Sequence, residues 1–429
     1  MVTIIVLTVT FILKMIITSG WMEGPGRQNR EVGLRMSVKF GLIGAMYPPM
    51  DKALESIPRA EKLGWRFIDF PDQLTSTNPS GMLKPPVSAS DPGAPTSFFS
   101  DVFFGSMEMC AAAAVLTREM EILLAVIDPL RRSPAVMAQE MMTLQHMSNG
   151  RMTFAIGAGE NKQFEPYGEV RSKPFTRLEE AVHTWIALWE SEGKPINRES
   201  EFWPLKEAVF PIPMHAAGAP ELLFVGAGER IQRLAATVGN GWLTYLPGGS
   251  GNDNVMMKAL IDNIKERAHD VGRDPQKLRF NAQVCTILAD DDDTAWKMAR
   301  HPNNGWIAIA AASIDSSKTW EKWGYDHPLG DFNWSRDVNV NIVTKEKAEE
   351  LTAGIPDEVT DFALVWGGPE QVAQRVQEMI DAGINEVSFF NMAASADPEY
   401  AVHWDRQISD VIQRLGGEPL NIERPVEVA

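Results

Sequence analysis

The stretch Leu123–Glu160, LLAVIDPLRRSPAVMAQEMMTLQHMSNGRMTFAIGAGE, decides the fold of the chain. It begins inside Ile122–Ile127, a near-continuous apolar run of the kind that forms a parallel strand buried on both faces. Ser133 followed by Pro134 reads as an N-cap and a first helical residue. Asn149-Gly150 supplies the left-handed conformations that close this helix. Met152–Ile156 is a second buried strand, and Gly157-Ala158-Gly159-Glu160 leaves its carboxyl end as a loop ending in an acid. One right-handed β-α-β unit thus puts a carboxylate and bare backbone on a single face, the face where α/β barrels carry their chemistry.

The same alternation extends in both directions. Val38–Ile43 reads as the first strand, followed by a Pro48-Pro49 turn, a helix over Asp51–Leu63 capped by Gly64, and a second strand over Trp65–Phe70. Glu221–Val225, Trp242–Leu246, Leu278–Leu288 and Glu386–Phe390 complete eight strands. Helical stretches separate them, most clearly Glu229–Val238, Val255–Val271 and Pro369–Ala382. Eight such units predict an α/β fold closed as a (β/α)8 TIM barrel rather than an open sheet. Two long interruptions, Gln73–Gly105 and His301–Thr344, should emerge as insertions at the carboxyl-terminal face. The second carries Trp306, Trp320, Trp323 and Trp334, which suits either a wall for an apolar small-molecule substrate or a self-packed insertion.

Composition narrows the partners. With 40 Lys and Arg against 57 Asp and Glu, the net charge of −17 argues against nucleic acid bound through a broad phosphate-contacting surface. An anionic cofactor has to be held locally, by loop amides and helix N-termini. Cys110 and Cys285 are the only cysteines and are far apart in apolar settings, so neither a disulfide framework nor a metal site is expected, and a reducing, cytoplasmic setting fits. Val2–Thr18 is almost wholly apolar apart from Lys14, without a basic leader or a clear cleavage site. Residues 1–35 are read as an extension, with translation starting at Met36 or, if the extension is real, with a membrane anchor. The barrel is expected over 36–415 and a tail over 416–429.

Several of these segments carry a resemblance. DPLRRSPAVMAQ, SNGR and IGAGE, with FEPYGE at Phe164–Glu169, PFTRLEEAVHTWIALW at Pro174–Trp189 and FVGAGERI at Phe224–Ile231, resemble the bacterial luciferase-like superfamily of (β/α)8 barrels. GWLTYLP at Gly241–Pro247, DHPLGDF at Asp326–Phe332 and GGPEQVAQRVQEMIDAGINEVSF at Gly367–Phe389 continue it, over about residues 38–415. The likeness is strongest to the branch that uses the deazaflavin coenzyme F420, and within it to phthiodiolone dimycocerosate ketoreductase-type proteins. It implies an F420-dependent oxidoreductase passing hydride between the reduced deazaflavin and a carbonyl or alcohol, and a homodimer.

The candidate residues follow from both lines. Glu160, at the end of the fourth strand, is the first candidate acid or base, because burial in a barrel mouth raises a carboxyl group's hold on its proton. Asp72-Gln73 ends the second strand, where the relatives often hold an Asp-His pair; Gln73 can donate a hydrogen bond but cannot shuttle a proton. The resemblance gives Asp72 a cofactor contact. It also implies that the backbone at Ile127-Asp128 backs the cofactor ring, through a bulge or a non-proline cis peptide, while Arg131 and Arg132 either pair with the anionic tail or are exposed. Gly226-Ala227-Gly228 precedes a helix starting near Glu229, whose free amides suit the cofactor phosphate. Gly157 and Gly159 complete the expected cofactor surface, and His327 in the aromatic insertion is a candidate proton donor. His146, His183 and Tyr167 fit structural roles. The alternatives are a flavin mononucleotide (FMN)-dependent monooxygenase of the same fold, fed by a flavin reductase, and a non-catalytic flavin-binding protein.

Overall fold

Each buried apolar run becomes a strand. In the computed structural model, which describes residues 38–44, 48–79, 82, 102–246, 253–311, 315–339, 343–396 and 403–422, the strands are β1 (Lys39–Ile43), β2 (Phe67–Phe70), β3 (Glu121–Ile127) and β4 (Met152–Ile156). They continue as β5 (Glu221–Val225), β6 (Gly241–Leu246), β7 (Arg279–Leu288) and β8 (Glu386–Asn391). Neighbours pair in parallel in chain order, and β8 returns to β1 through Lys39↔Glu386 and Leu42↔Phe389. The sheet is therefore the expected closed barrel of eight strands, with helices between them.

Two pieces of strand escape the sequence pattern. Val365–Gly367 pairs with the carboxyl half of β7, and Ile196–Arg198 forms a hairpin with Leu205–Ala208. Both are too short, and the hairpin too exposed, to leave a period-two signal.

Inward-pointing residues fill the barrel in layers. At the amino end, Arg279 Nε and Nη2 donate to the Glu386 carboxylate (2.8 and 2.9 Å), and Nη1 donates to Thr153 Oγ1 (2.7 Å) and to Glu221. Glu121 lies 3.4 Å from the same guanidinium, and Lys39 pairs with Glu121 at 2.6 Å and Glu386 at 3.7 Å. Above this charged plug, Phe67, Leu123, Ala125, Ala155, Leu223 and Leu243 form an apolar layer. Gly41 makes room for it, since a Cβ there would stand 2.3 Å from the Phe67 ring. The outward faces, including Ile122, Leu124, Phe154 and Phe224, pack beneath the surrounding helices.

The helix Pro134–Met147 ends as expected, with Asn149 at φ 56° and Gly150 at φ 85°. Its start differs, because Ser133 makes no side-chain cap hydrogen bond. The insertion after β7 is neither wholly wall nor wholly self-packed. Trp306 and Trp320 are buried in a second core with Phe332, Phe390 and Met392, while Trp323 and Trp334 are partly buried and face the barrel mouth. Among the described residues no helix is long and apolar enough to cross a membrane. The apolar run Val2–Thr18, Met36, most of 80–101 and residues 423–429 lie outside the described residues.

Candidate active site

The carboxyl ends of the strands open into a cavity of about 820 Å³. Its walls are largely apolar: Ile43, Val126, Val225, Leu243, Tyr245 and Phe390 from the barrel, and Trp323, Trp334 and Phe362 from beyond β7. Polar groups enter from three directions.

The floor is set by Gln283 of β7, whose Nε2 donates to Asp69 Oδ2 at 2.8 Å. Asp69 lies on β2 inside the barrel and is fully buried. Burial pushes its carboxyl up to about 8, against the opposing pull of Gln283 and Ser388. Its Oδ1 is buried with no hydrogen-bond partner. An acid raised from 3.8 in the unfolded chain to about 8 in the folded one binds more protons when folded, so its contribution to stability is lost as pH rises from about 4 to 8. Asp69→Asn should therefore stabilise the protein at pH 8 relative to wild type, by up to several kcal/mol, and change little near pH 4. Urea unfolding of both proteins at the two pH values checks this; equal differences at both would contradict it.

The second side is the end of β2. Asp72 is buried, and its carboxylate accepts from Ser106 Oγ (2.7 Å), from Arg132 Nη1 and Nη2 (2.9 and 3.0 Å) and from Arg131. Burial alone would raise its pKa, but the hydrogen bonds from Arg132 and the charge of Arg131 hold it below the ordinary aspartate value. Asp128 accepts from the Leu130 and Arg131 amides (3.0 and 3.1 Å) and from Arg131 Nε (2.6 Å), which fixes the loop after β3. Both arginines are thus spent on internal carboxylates.

The third side is the loop after β4. Glu160 accepts from the Trp334 indole N–H of the insertion, and its Oε2 stands 3.3 Å from Lys162 Nζ, an ion pair. Lys162 is 1% exposed and burial lowers its pKa, while Glu160 opposes that shift. Its ammonium also donates to Thr75 O (3.0 Å) and to Gln73 Oε1. Arg171 Nε donates to the Ala158 and Gly159 carbonyls (3.1 and 2.8 Å) and pins the loop from behind. Gly157 lets Val126 approach, since a Cβ there would lie 2.6 Å from Val126 Cγ1, and Gly159 holds φ 72°.

At the end of the neighbouring strand β5, Gly226–Gly228 lead into the helix Glu229–Thr237, capped by Gly228 without a side-chain bond. Trp242 Nε1 takes the Gly226 carbonyl (2.8 Å) and Gln232 Nε2 the Ala227 carbonyl (2.7 Å), and the first helical amides have no intrahelical acceptor. Glu229 is no obstacle to an anion there: its side chain is 81% exposed and reaches toward Arg267 at 3.4 Å.

A family description, luciferase-like monooxygenase, matches residues 37–386. The chain belongs to that family. A phthiodiolone/phenolphthiodiolone dimycocerosates ketoreductase of Mycobacterium sp. (strain JLS) is 30% identical over 360 residues, covering 81% of this chain and 90% of the relative. An F420-dependent secondary alcohol dehydrogenase, solved with an F420-acetone adduct, superposes with a TM-score of 0.66 at 21% identity over 89% of this chain and 99% of that one. The oxygenating constituent of the Pseudomonas putida 3,6-diketocamphane monooxygenase, solved with FMN, superposes at 0.58 and 16% identity over 88% and 97%. This member of the luciferase-like family is an oxidoreductase.

The geometry sorts the residues expected from sequence. Glu160, Gln73, Asp72, Asp128, Gly157, Gly159, Gly226, Ala227 and Gly228 all line the one cavity. Ile127 does not: it is fully buried in the outer core, and the non-proline cis peptide and register shift of β3 fall earlier, at Ala125-Val126, which are the residues that reach the cavity. His327 is also displaced from the site. Its ring stacks on Phe332, Nε2 contacts the Ile309 carbonyl (3.0 Å), and Nδ1 accepts from the Leu329 amide (3.2 Å), so both nitrogens hold the insertion together. Burial lowers its pKa, which keeps it neutral. Glu160 has two partners that its sequence position did not indicate, the Trp334 indole and the Lys162 ammonium. Arg131 and Arg132 are not exposed: both pair with internal carboxylates, and Arg131 lines the cavity.

Lys162, Gln163, Gln283 and Asp69 escape sequence reasoning, as does the contact of Trp334 with Glu160. Lys162 had a signal of sorts, two residues after the loop acid, but a lysine there reads as solvated surface. A flat, phosphate-bearing heteroaromatic cofactor fits what is present: glycine backbone at β4, apolar wall at Val126 and Val225, and an open helix start at Gly226–Gly228.

Proposed function

We propose that this protein is a coenzyme F420-dependent oxidoreductase that exchanges hydride with the carbonyl or alcohol carbon of an apolar small molecule. The observation that carries the proposal is the ion pair of Glu160 with the buried Lys162 beyond the end of β4, in the same apolar-walled cavity as the helix start at Gly226–Gly228. The named activities of the ketoreductase relative and of the alcohol dehydrogenase neighbour support the same chemistry.

Gly226–Gly228 would hold the cofactor phosphate, and Ala125, Val126 and Gly157 would back its ring. When bound in reduced form, the deazaflavin supplies hydride to an electrophilic carbon. The protein's own part is then to exclude water, fix the substrate oxygen and manage one proton. Trp323, Trp334, Phe362 and Phe390 exclude water from the mouth. The Glu160–Lys162 pair holds the proton: the ammonium gives it up more readily because it is buried, and the carboxylate takes it when an alcohol is oxidised.

Turnover of reduced F420 with a series of ketones, followed by deazaflavin absorbance, tests the proposal. Rates should rise from acetone to longer aliphatic and aryl ketones, because a larger apolar surface is buried against the insertion. No oxidation of reduced F420 by any ketone, together with an oxygenated product formed from substrate, reduced FMN and oxygen, would instead establish the monooxygenase alternative that the FMN-bound neighbour represents.

A further inference from the structure

Gln73 stands where the resemblance leads one to expect a histidine, and its surroundings fix its orientation. Its Oε1 accepts from the Lys162 ammonium and from Gln163 Nε2. An ammonium can only donate, so the atom that faces Lys162 has to be the carbonyl oxygen. Gln163 has no choice either, because its own Oε1 accepts from the Leu74 amide at 2.8 Å, which leaves its NH2 for Gln73. Lys162 and Gln163 are 1% and 3% exposed, so neither arrangement relaxes into solvent. The consequence falls on the other end of the Gln73 amide. Its Nε2 makes no hydrogen bond with any described residue, and Gln73 lines the cavity. Glu160 lies 3.3 Å from the same ammonium, so Lys162 joins the Gln73 amide oxygen to the acid, and both residues line the one cavity.

We propose that Gln73 donates the hydrogen bond that holds the substrate oxygen, and that Lys162 and Gln163 are the positioning residues that lock its amide in the donating orientation. The inference rests on the hydride-transfer reading and specifies its oxyanion contact. The reduced deazaflavin would supply the hydride that the carbonyl carbon accepts, so that the carbonyl would be reduced and the deazaflavin oxidised by two electrons. The carbonyl π pair withdraws onto oxygen, where the Gln73 NH2 stabilises the charge without transferring its own proton. The oxygen then takes a proton from the Glu160–Lys162 pair, which regains one from water. The positive charge on Lys162, bonded to the amide oxygen, polarises the NH2 and strengthens the donation. A histidine at this place could exchange a proton; the locked amide can only bind, which leaves the proton to Glu160 and Lys162.

Gln73→Glu is the discriminating variant. It keeps an oxygen for both Lys162 and Gln163 and so preserves the lock, but it presents an acceptor where the substrate oxygen needs a donor. With reduced F420 and a ketone, its kcat/KM should fall by about 10²–10³, the usual effect of deleting one oxyanion donor, while F420 affinity stays within about threefold. Gln163→Met should give a smaller loss, in kcat rather than in the KM for F420. The lock is tested without any cofactor by thermal melting of Lys162→Met, Gln73→Met and the double variant. Their Tm losses should be less than additive, because both remove one shared contact. Additive losses would overturn the lock. Wild-type turnover with undiminished Gln73→Glu activity would overturn the donor role while leaving the functional reading intact. A wild-type protein that binds no F420 would count against that reading, and the melting cycle would still decide the lock.

Discussion

Glu160→Gln lowers kcat for ketone reduction by roughly 10²–10⁴, the range over which a positioned acid or base contributes. The substitution preserves volume, and the amide oxygen can still accept from the Trp334 indole. The loss falls at Oε2. An NH2 there would face the Lys162 ammonium, donor against donor, 3.3 Å away in a site where the lysine is 1% exposed. The pair could then neither hold nor pass the proton that balances hydride transfer. Because the Glu160 carboxylate is held by Trp334 and Lys162 rather than by the Gly226–Gly228 loop, F420 affinity should change by no more than about threefold, so the effect appears in kcat. Trp334→Phe removes only the indole N–H and should cost far less, about tenfold or under. Steady-state kinetics on the three proteins decide the matter, and Glu160→Gln turning over at the wild-type rate would remove the acid-base role.

Arg279→Met has the largest expected effect on stability. Arg279 stands at the start of β7 and ties together the first residues of β3, β5 and β8 through Glu121, Glu221 and Glu386, with Thr153 of β4. Six of the eight strands, counting Lys39 of β1, meet in this one cluster. Glu386 is the member that cannot escape, since its side chain is 3% exposed and its remaining cation, Lys39, is 3.7 Å away. Removing one partner of a buried ion pair leaves an uncompensated charge and typically costs about 3–5 kcal/mol. Urea unfolding should show a loss of that size for Arg279→Met. Adding Glu386→Leu should recover part of it, because an apolar pair replaces the stranded carboxylate. A loss under about 1 kcal/mol would mean that the apolar layer above the plug, rather than the charges, closes the barrel.

The charged plug also shows where sequence reasoning stops. Lys39, Glu121, Glu221, Arg279 and Glu386 are each the first residue of a strand, and in sequence each reads as the polar edge of an apolar run. Only closure of the sheet, with β8 beside β1, brings them to one point. The barrel itself was legible, because burial on both faces forces continuous apolar runs and the turns need Gly, Asn and Pro at fixed places. The site was legible where it lies at strand ends: Asp72, Glu160 and Gly226–Gly228 all project into the cavity. It was illegible where contacts cross between segments. Trp334 reaches Glu160 from 174 positions away, and Gln283 meets Asp69 across 214. His327 misled for the same reason, since a histidine in an aromatic insertion looks available until the insertion packs on it. At β3 the pattern indicated the right element but placed the bulge two residues late, because the apolar run continues unchanged through Ala125, Val126 and Ile127.

The most direct test of the central claim is a fluorescence titration of the protein with F420 and, separately, with FMN. The cavity places glycine backbone, an open helix start and the Glu160–Lys162 ion pair around one space, and the account predicts micromolar binding of F420 with FMN at least tenfold weaker. Tighter binding of FMN would contradict it and move the chemistry from hydride transfer to oxygen activation.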